Sequence, residues 1–196
     1  MKRVYSFLLW VIFGSPVSWA QTGAKPAKDA AILTGKYRNL FIEVGYQQKD
    51  IDAKVSKAYS DLFESPNGIY FEVEDSLAYV SDVKNRDART EGLSYGMMVA
   101  VQLNKKEVFD RIWRWSKKYA QHQEGPRKGY FAWSINPKTN KPNSPGSASD
   151  GEFYFITALL FASNRWGNST GIDYYQEARF ILDEMWKKTA QVTYIT

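Results

Sequence analysis

Apolar residues recur at helical spacing in two stretches near the start of the expected folded region. The first stretch contains Tyr37, Leu40, Phe41 and Val44, and a second stretch follows over residues 51–63. Side chains spaced three and four residues apart share one face of a helix. The pattern therefore predicts two amphipathic helices.

A different pattern follows over residues 70–80. This stretch is rich in aromatic and β-branched residues, and a polar break interrupts it at residues 74–76. Short runs of this composition on either side of a polar break are typical of paired strands. We expect a short hairpin or an extended β-arm.

Further along the chain, a segment that is apolar nearly all round is followed by a segment with one apolar stripe, and the pair then repeats. The all-round apolar segments span residues 93–103 and 153–162, and each predicts a buried inner helix. The stripes predict two outer helices, and they consist of Val108, Phe109, Ile112, Trp113, Ser116 and Tyr119, then of Tyr174, Ala178, Ile181, Leu182, Met185 and Trp186. Stacked helical hairpins of this kind predict an all-α toroid or barrel.

Acidic residues mark the start of both predicted inner helices. Glu91 precedes the first, and Asp150 with Glu152 opens the second, so we expect these acids at the same end of the toroid. Residues 124–149 lie between the hairpins and are rich in Gly, Pro, Asn and Ser around Tyr130 and Trp133. This composition predicts a long loop, and long loops in compact domains often carry function.

The composition narrows the chemistry that these acids could perform. The chain has no cysteine, and His122 is its only histidine, so neither a metal site nor a Ser/His/Asp triad is expected. Without Lys2 and Arg3, two of the 26 basic residues, the net charge falls from +5 to +3. Because the remaining charges of both signs are mixed along the chain, no nucleic-acid partner is expected.

The N-terminus is typical of an exported protein. Lys2 and Arg3 precede the apolar residues 4–13, and a small-residue site ends at Ala20. We predict a signal peptide over residues 1–20, a flexible leader over 21–33, a folded domain over 34–196, and a secreted or periplasmic location. No later segment is apolar enough to span a bilayer, so no membrane association is expected after cleavage.

Each candidate site residue has a structural as well as a functional interpretation. Ser149 and Glu152 fit a capping box, which would leave Asp150 and Glu152 as helix-start acids. Glu91 fits equally well as an acid favoured by the helix dipole. In the functional interpretation, one acid protonates the leaving oxygen of a glycosidic bond.

The aromatic residues of the predicted loop have the same two interpretations. Tyr130 and Trp133 could anchor the loop on the core, or they could cover the apolar faces of bound sugar rings. His122, at the end of its predicted helix, is interpreted as a partner of the helix dipole or a surface residue. The pattern alone leaves these alternatives open.

Four blocks of sequence, in order, resemble the signatures of glycoside hydrolase family 8. The first block spans residues 87–98 and includes Glu91, and the others span 129–134, 148–152 and 161–167. The likeness runs from about Tyr37 to Trp186. It implies an (α/α)6 barrel, an inverting mechanism without metal or cofactor, and β-1,4-linked glucan, xylan or chitosan as substrate.

The resemblance also implies roles for individual residues. Glu91 matches the general acid, Asp150 matches the aspartate that holds the sugar at the cleavage point, and Trp133 matches a tryptophan that stacks on a sugar ring. The remaining substrate-binding candidates are Tyr130, Arg89 and Tyr95. The fullest match is to the branch that releases xylose from the reducing end of xylo-oligosaccharides, with an endo-xylanase or endoglucanase as alternatives.

An (α/α)6 barrel has twelve helices, whereas the pattern here predicts about six helices in three hairpins. The aspartate that serves the family as general base has no counterpart in this sequence. We therefore expect an N-terminal half with little turnover, whose inner-helix residues lack partners and favour aggregation or dimerisation; these residues are Met97, Val101, Phe155 and Leu159. A non-catalytic carbohydrate-binding fragment and a structural helical-repeat protein are the alternatives from other classes.

Overall fold

The computed structural model describes residues 37–74 and 76–189. The predicted signal peptide and leader lie outside the described residues, as do both ends of the predicted domain. The chain divides between Gln48 and Lys49 into two compact units.

The first unit contains one short helix, α1, at Leu40–Glu43. Asn39 caps it, because its side-chain oxygen accepts a hydrogen bond from the Phe41 amide at 3.1 Å. Gly45 ends the turn with a φ of +98°, a backbone conformation that favours glycine. The predicted helix is therefore present, but it is a single turn with no buried residue.

Helix α2 spans Gln48–Tyr59 and continues into a π-helical turn at Ser60–Glu64. It presents Tyr59 and Phe63 to the core as a stacked pair with ring centroids 4.9 Å apart. The next elements are β1 at Tyr70–Val73 and β2 at Leu77–Val80, which pair antiparallel. The predicted second helix and the predicted hairpin are both confirmed.

Four further helices follow in the predicted order of inner, outer, inner and outer. They are α3 at Thr90–Gln102, α4 at Lys106–Trp115 with a π-helical turn at Ser116–Ala120, α5 at Ser149–Trp166, and α6 at Tyr174–Thr189. The predicted outer stripe of α4 is confirmed, because Phe109, Ile112 and Trp113 are buried. Gly167 ends α5 with a φ of +76°.

The two inner helices, α3 and α5, pack side by side with their N-termini at the same end. A Cβ atom placed on Gly151 would lie 2.6 Å from the Thr90 Cβ, so only glycine permits this close approach. One turn further along, the rings of Tyr95 and Tyr154 meet edge to face with centroids 4.7 Å apart. Contacts at both levels show that the helices run in the same direction, as the paired acids predicted.

The expectation of bare inner-helix faces was wrong for the residues named. Met97, Val101, Phe155 and Leu159 are all at most 2% exposed. Outer helices and the connecting segment supply their partners: Phe155 stacks on Phe131 with ring centroids 4.5 Å apart and meets Trp113 at 6.0 Å.

Exposed apolar side chains lie instead on the far side of α5 and α6. Phe153 and Phe161 of α5 are 56% and 50% exposed, and Trp186 of α6 is 75% exposed. Among the described residues, α5 packs mainly against α3 and α6, so one side of this helix has no neighbour. The pattern that predicted burial all round α5, and burial of Leu182 and Trp186 in the α6 stripe, was therefore wrong for that side.

The connection between the hairpins is more regular than predicted. Three short strands, β3 at Ala88–Arg89, β4 at Ser134–Asn136 and β5 at Lys141–Ser144, form an antiparallel sheet in that order. The prediction of a continuous loop over 124–149 was wrong for the β4–β5 hairpin. Strand β3 leads directly into α3, so the sheet ties this connection to the start of an inner helix.

Within residues 37–74 and 76–189, no helix combines the length and the apolar character needed to cross a bilayer.

Candidate active site

Residues 130–133, which we call the aromatic segment, connect the starts of both inner helices. The Trp133 carbonyl accepts a hydrogen bond from the Thr90 amide of α3 at 3.0 Å. The Phe131 amide donates to Oε1 of Glu152 in the first turn of α5 at 2.8 Å. The aromatic segment thus supplies an acceptor to the first amide of α3, where backbone amides otherwise lack partners, and a donor to a side chain in the first turn of α5.

Glu91 lies in the first turn of α3 and is half-buried. The Thr90 hydroxyl donates to its Oε2 atom at 3.2 Å. The N-cap residue of α3, Arg89, makes no side-chain capping bond. Glu91 therefore combines a fixed position near a helix N-terminus with access to solvent, as a proton donor to a bound ligand requires.

Asp150 occupies the corresponding place in the first turn of α5, and it is exposed. Burial raises the pKa of Tyr95, and the negative charges of nearby groups, including Asp150 and Glu91, raise it further. Both acids therefore lie within electrostatic range of Tyr95, whose ring contacts Tyr154. The structure brings Glu91, Asp150 and Tyr95 together, as the sequence predicted.

Arg89 and Trp133 are in direct contact beside the acids. The guanidinium carbon of Arg89 lies 5.3 Å from the centre of the Trp133 ring system, a cation–π arrangement. Asp87 holds the guanidinium, because the Arg89 Nε donates to its Oδ1 at 3.0 Å. The other carboxylate oxygen of Asp87 accepts from the Ser134 hydroxyl at 2.7 Å.

Asp87 was not among the predicted site residues. It is only 9% exposed, and both of its oxygens are bonded. The sequence did contain a signal, since Asp87 and Arg89 are two residues apart in extended backbone, a spacing that places side chains on the same face.

Glu152 does not form the predicted capping box. The N-cap of α5 is Ala148, which makes no side-chain bond, and the Glu152 carboxyl is fully buried against the aromatic segment. Burial is the main cause that raises the pKa of Glu152 to about 7. Hydrogen bonds from the Phe131 and Glu152 backbone amides lower this pKa, and the negative charges of Asp150 and Glu91 raise it. Its Oε2 atom has no hydrogen-bond partner among the described residues.

Tyr130 and His122 contact parts of the fold outside this acid group. The Lys188 ammonium of α6 lies 4.9 Å from the centre of the Tyr130 ring. His122 places its Nε2 atom 3.1 Å from the Pro145 carbonyl, which fits a structural role. The predicted contact of Tyr130 with a sugar stays a prediction.

A groove of about 430 Å³ lies elsewhere, between α4 and the start of α6. Its lining includes Arg114, Lys117 and Glu177, and an ion pair joins Lys117 to Glu177. None of the acids at the inner-helix starts lines this groove. The mixed and paired charges distinguish it from the cluster that contains Glu91 and Asp150.

Both inner helices carry an acid in their first turn, and the aromatic segment is hydrogen-bonded to the first turn of each. The chain belongs to glycosyl hydrolases family 8, whose family model matches residues 65–191.

Similar proteins include a reducing end xylose-releasing exo-oligoxylanase from Halalkalibacterium halodurans. It is 48% identical over 162 residues, which cover 81% of this chain and 42% of that protein. Endoglucanase A of Acetivibrio thermocellus is 34% identical over 105 residues, covering 52% of this chain and 21% of that protein. The similarity is thus higher and longer for the exo-oligoxylanase.

A solved structure of a mutant of Rex8A from Paenibacillus barcinonensis, complexed with 3(3)-alpha-L-arabinofuranosyl-xylotetraose, has the same fold. Its TM-score is 0.77 at 44% sequence identity, with coverage of 83% of this chain and 43% of that one. Members of the family fold as (α/α)6 barrels, and the described residues of this chain are mostly helical. The chain spans about two fifths of the length of the exo-oligoxylanase and of Rex8A.

Proposed function

We propose that this chain forms the acid-bearing part of an inverting glycosidase domain that cuts β-1,4-xylosidic bonds in xylo-oligosaccharides. The observation that carries the proposal is that Glu91 and Asp150 lie in the first turns of α3 and α5, and that the aromatic segment, which contains Trp133, is hydrogen-bonded to both turns. A glycosidase needs a carboxylic acid beside a surface that holds sugar rings, and this junction offers both.

Glu91 is the proposed general acid. Its carboxyl is half-buried and accepts a hydrogen bond from the Thr90 hydroxyl, which holds it near the N-terminus of α3. A general acid must lie within hydrogen-bond reach of the leaving oxygen, and the partial exposure of Glu91 leaves its carboxyl accessible to a sugar.

Asp150 and Trp133 are the proposed sugar-binding residues. The exposed carboxylate of Asp150 is available to accept hydrogen bonds from sugar hydroxyls. The indole of Trp133 offers a flat apolar face, and Arg89, held by Asp87, fixes it on one side. Tyr95, which is exposed and lies about one helical turn after Glu91 on α3, is a further proposed sugar contact.

The similarity to exo-oligoxylanases that release xylose from the reducing end favours xylo-oligosaccharides as substrates. A bound arabinofuranosyl-xylotetraose in the Rex8A structure points in the same direction. An endo-acting glucanase is the second candidate, supported by the weaker match to Endoglucanase A.

Inversion requires a second carboxylate across the sugar ring, about 6.5–9.5 Å from the general acid. We assign no such base among the described residues, because the role proposed for Asp150 is to bind sugar hydroxyls. The proposed architecture is three hairpins of an (α/α)6 barrel, and in a protein of the relatives' length the rest of the barrel would supply the base. Export is also part of the proposal, and it rests on the sequence of residues 1–20.

Calorimetry with xylotetraose tests the binding part of this proposal. We expect xylotetraose to bind, and Asp150→Asn to weaken its binding at least about tenfold, because a hydrogen bond to a charged group contributes about 1.5–3 kcal/mol. Trp133→Ala should also weaken binding, whereas Trp186→Ala, which removes the exposed indole of α6, should not. Equal losses from both tryptophan variants would place the sugar elsewhere.

Hydrolysis by the chain itself is a separate test. Without an assigned base, the chain should release xylose from xylohexaose no faster than its Glu91→Gln variant. Faster release that depends on Glu91 would overturn the assignment of the base to another part of the fold.

A further inference from the structure

The four amides of the aromatic segment are all bonded, but one differs from the rest. Three of these amides donate to backbone carbonyls: Tyr130 to Arg127, Ala132 to Ala120, and Trp133 to Gly146, at 2.9 Å in each case. The Phe131 amide instead donates to a side chain, the Glu152 carboxyl. This bond is a direct polar attachment of the aromatic segment to α5.

The position of Glu152 on α5 links this attachment to the sugar-binding acid. Residues two apart on a helix point in directions about 200° apart, because each residue turns the chain by about 100°. Glu152 is accordingly buried and Asp150 exposed. Fixing the side chain of Glu152 therefore also fixes the rotation of the helical turn that presents Asp150.

The burial of Glu152 has a cost that its backbone hydrogen bonds offset only in part. Its Oε2 atom is buried without a partner among the described residues, and a buried unpaired polar atom is unfavourable. The negative charges of Asp150 on α5 and Glu91 on α3 raise the pKa of Glu152 further. The charge of Glu152 in turn raises the pKa of Tyr130 in the aromatic segment. An apolar side chain would avoid these costs, but it could not accept the Phe131 amide.

We propose that Glu152 is a positioning residue, which holds the aromatic segment and Trp133 against the first turn of α5 and so sets their distance from Asp150. The proposal rests on the function proposed above, since it assigns a role within the same sugar site. It states that the reach of the side chain matters, because a shorter acid leaves the Phe131 amide without its acceptor.

Two substitutions separate reach from charge. Glu152→Gln keeps an oxygen at the same distance and removes the charge, whereas Glu152→Asp keeps the charge and shortens the side chain by one methylene. Glu177→Asp is the matched control, because it shortens an acid of α6 that pairs with Lys117 outside the site. Each variant is measured by exchange of the Phe131 amide and by calorimetry with xylotetraose.

We expect Glu152→Gln and Glu177→Asp to bind xylotetraose within about twofold of wild type, with the Phe131 amide still protected. Glu152→Asp should weaken binding about tenfold and speed exchange of that amide, since an orphaned buried donor costs about 1–3 kcal/mol. Wild-type behaviour of Glu152→Asp, or an equal loss in Glu152→Gln, would overturn the proposal.

The test also separates failure of the proposed function from failure of this proposal, and it covers a variant that does not fold. If wild type binds no xylotetraose, the proposed function fails, while amide exchange still tests the attachment. If Glu152→Asp does not fold, the wild-type protein provides the test: the Phe131 amide proton resonance should follow the titration of the Glu152 carboxyl. An amide resonance that does not move as Glu152 titrates would overturn the attachment.

Discussion

The buried carboxyl of Glu152 predicts a specific dependence of stability on pH. Its pKa is raised from 4.5 to about 7 in the folded protein, chiefly by burial. A raised carboxyl pKa means that folding favours the protonated form, so this contribution is fully present below about pH 4.5 and is lost as the pH rises through 7. At about 1.4 kcal/mol per pH unit, the loss between pH 4.5 and 8 is up to about 3 kcal/mol.

Glu152→Gln removes the titrating group while keeping an acceptor for the Phe131 amide. We expect the free energy of unfolding of wild type to fall by up to about 3 kcal/mol between pH 4.5 and 8, and that of the variant to lack this fall. Urea unfolding, followed by far-UV circular dichroism at several pH values, measures both. The comparison uses the change with pH, because the new amide group alters stability by a constant amount.

A control acid keeps the interpretation specific to this site. Glu177→Gln, on α6, should retain the wild-type change in unfolding free energy between pH 4.5 and 8, because Glu152 is still present. If Glu152→Gln and wild type lose the same stability over this range, the carboxyl is not buried and coupled as described, and the reasoning is refuted.

Two further substitutions test the packing beneath the site. Gly151→Ala would bring a Cβ to 2.6 Å from the Thr90 Cβ. The cost of overpacking, about 1–3 kcal/mol, should outweigh the gain in helix propensity of about 1 kcal/mol, so the urea midpoint should fall. A rise would contradict the close approach of α3 and α5. Asp87→Asn removes the charged partner of Arg89, so the guanidinium should hold the Trp133 ring less firmly. Xylotetraose should then bind about two- to fivefold more weakly by calorimetry. Unchanged affinity would show that the position of Trp133 does not depend on Asp87.

The helices and their order were predictable because the relevant pattern is local. Inner and outer helices differ in how far apolar residues extend round each helix, and Phe109 and Trp113 of α4 are buried as their spacing predicted. The same pattern failed at Phe153 and Phe161 of α5. An apolar side chain does not specify its neighbour, and the described residues place helices on only one side of α5.

The helix-start positions of Glu91 and Asp150 were predictable from the sequence, but the hydrogen bonds around them were not. Glu91 and Asp150 mark helix starts, which sequence can locate. Glu152 was ambiguous, because its spacing from Ser149 fits a capping box, whereas its actual partner, the Phe131 amide, lies 21 residues away. For Asp87, the spacing from Arg89 was visible in the sequence, but its bond to Ser134, which spans 47 residues, was not. Contacts between distant segments leave no periodic signal in the sequence.

A crystal structure of the Glu91→Gln variant with xylotetraose tests the central claim most directly. The account predicts a sugar ring against Trp133, a hydroxyl bonded to Asp150, and a glycosidic oxygen within about 3 Å of the side chain at position 91. A sugar bound elsewhere, for example in the groove lined by Lys117 and Glu177, would contradict the assignment of Glu91 as proton donor.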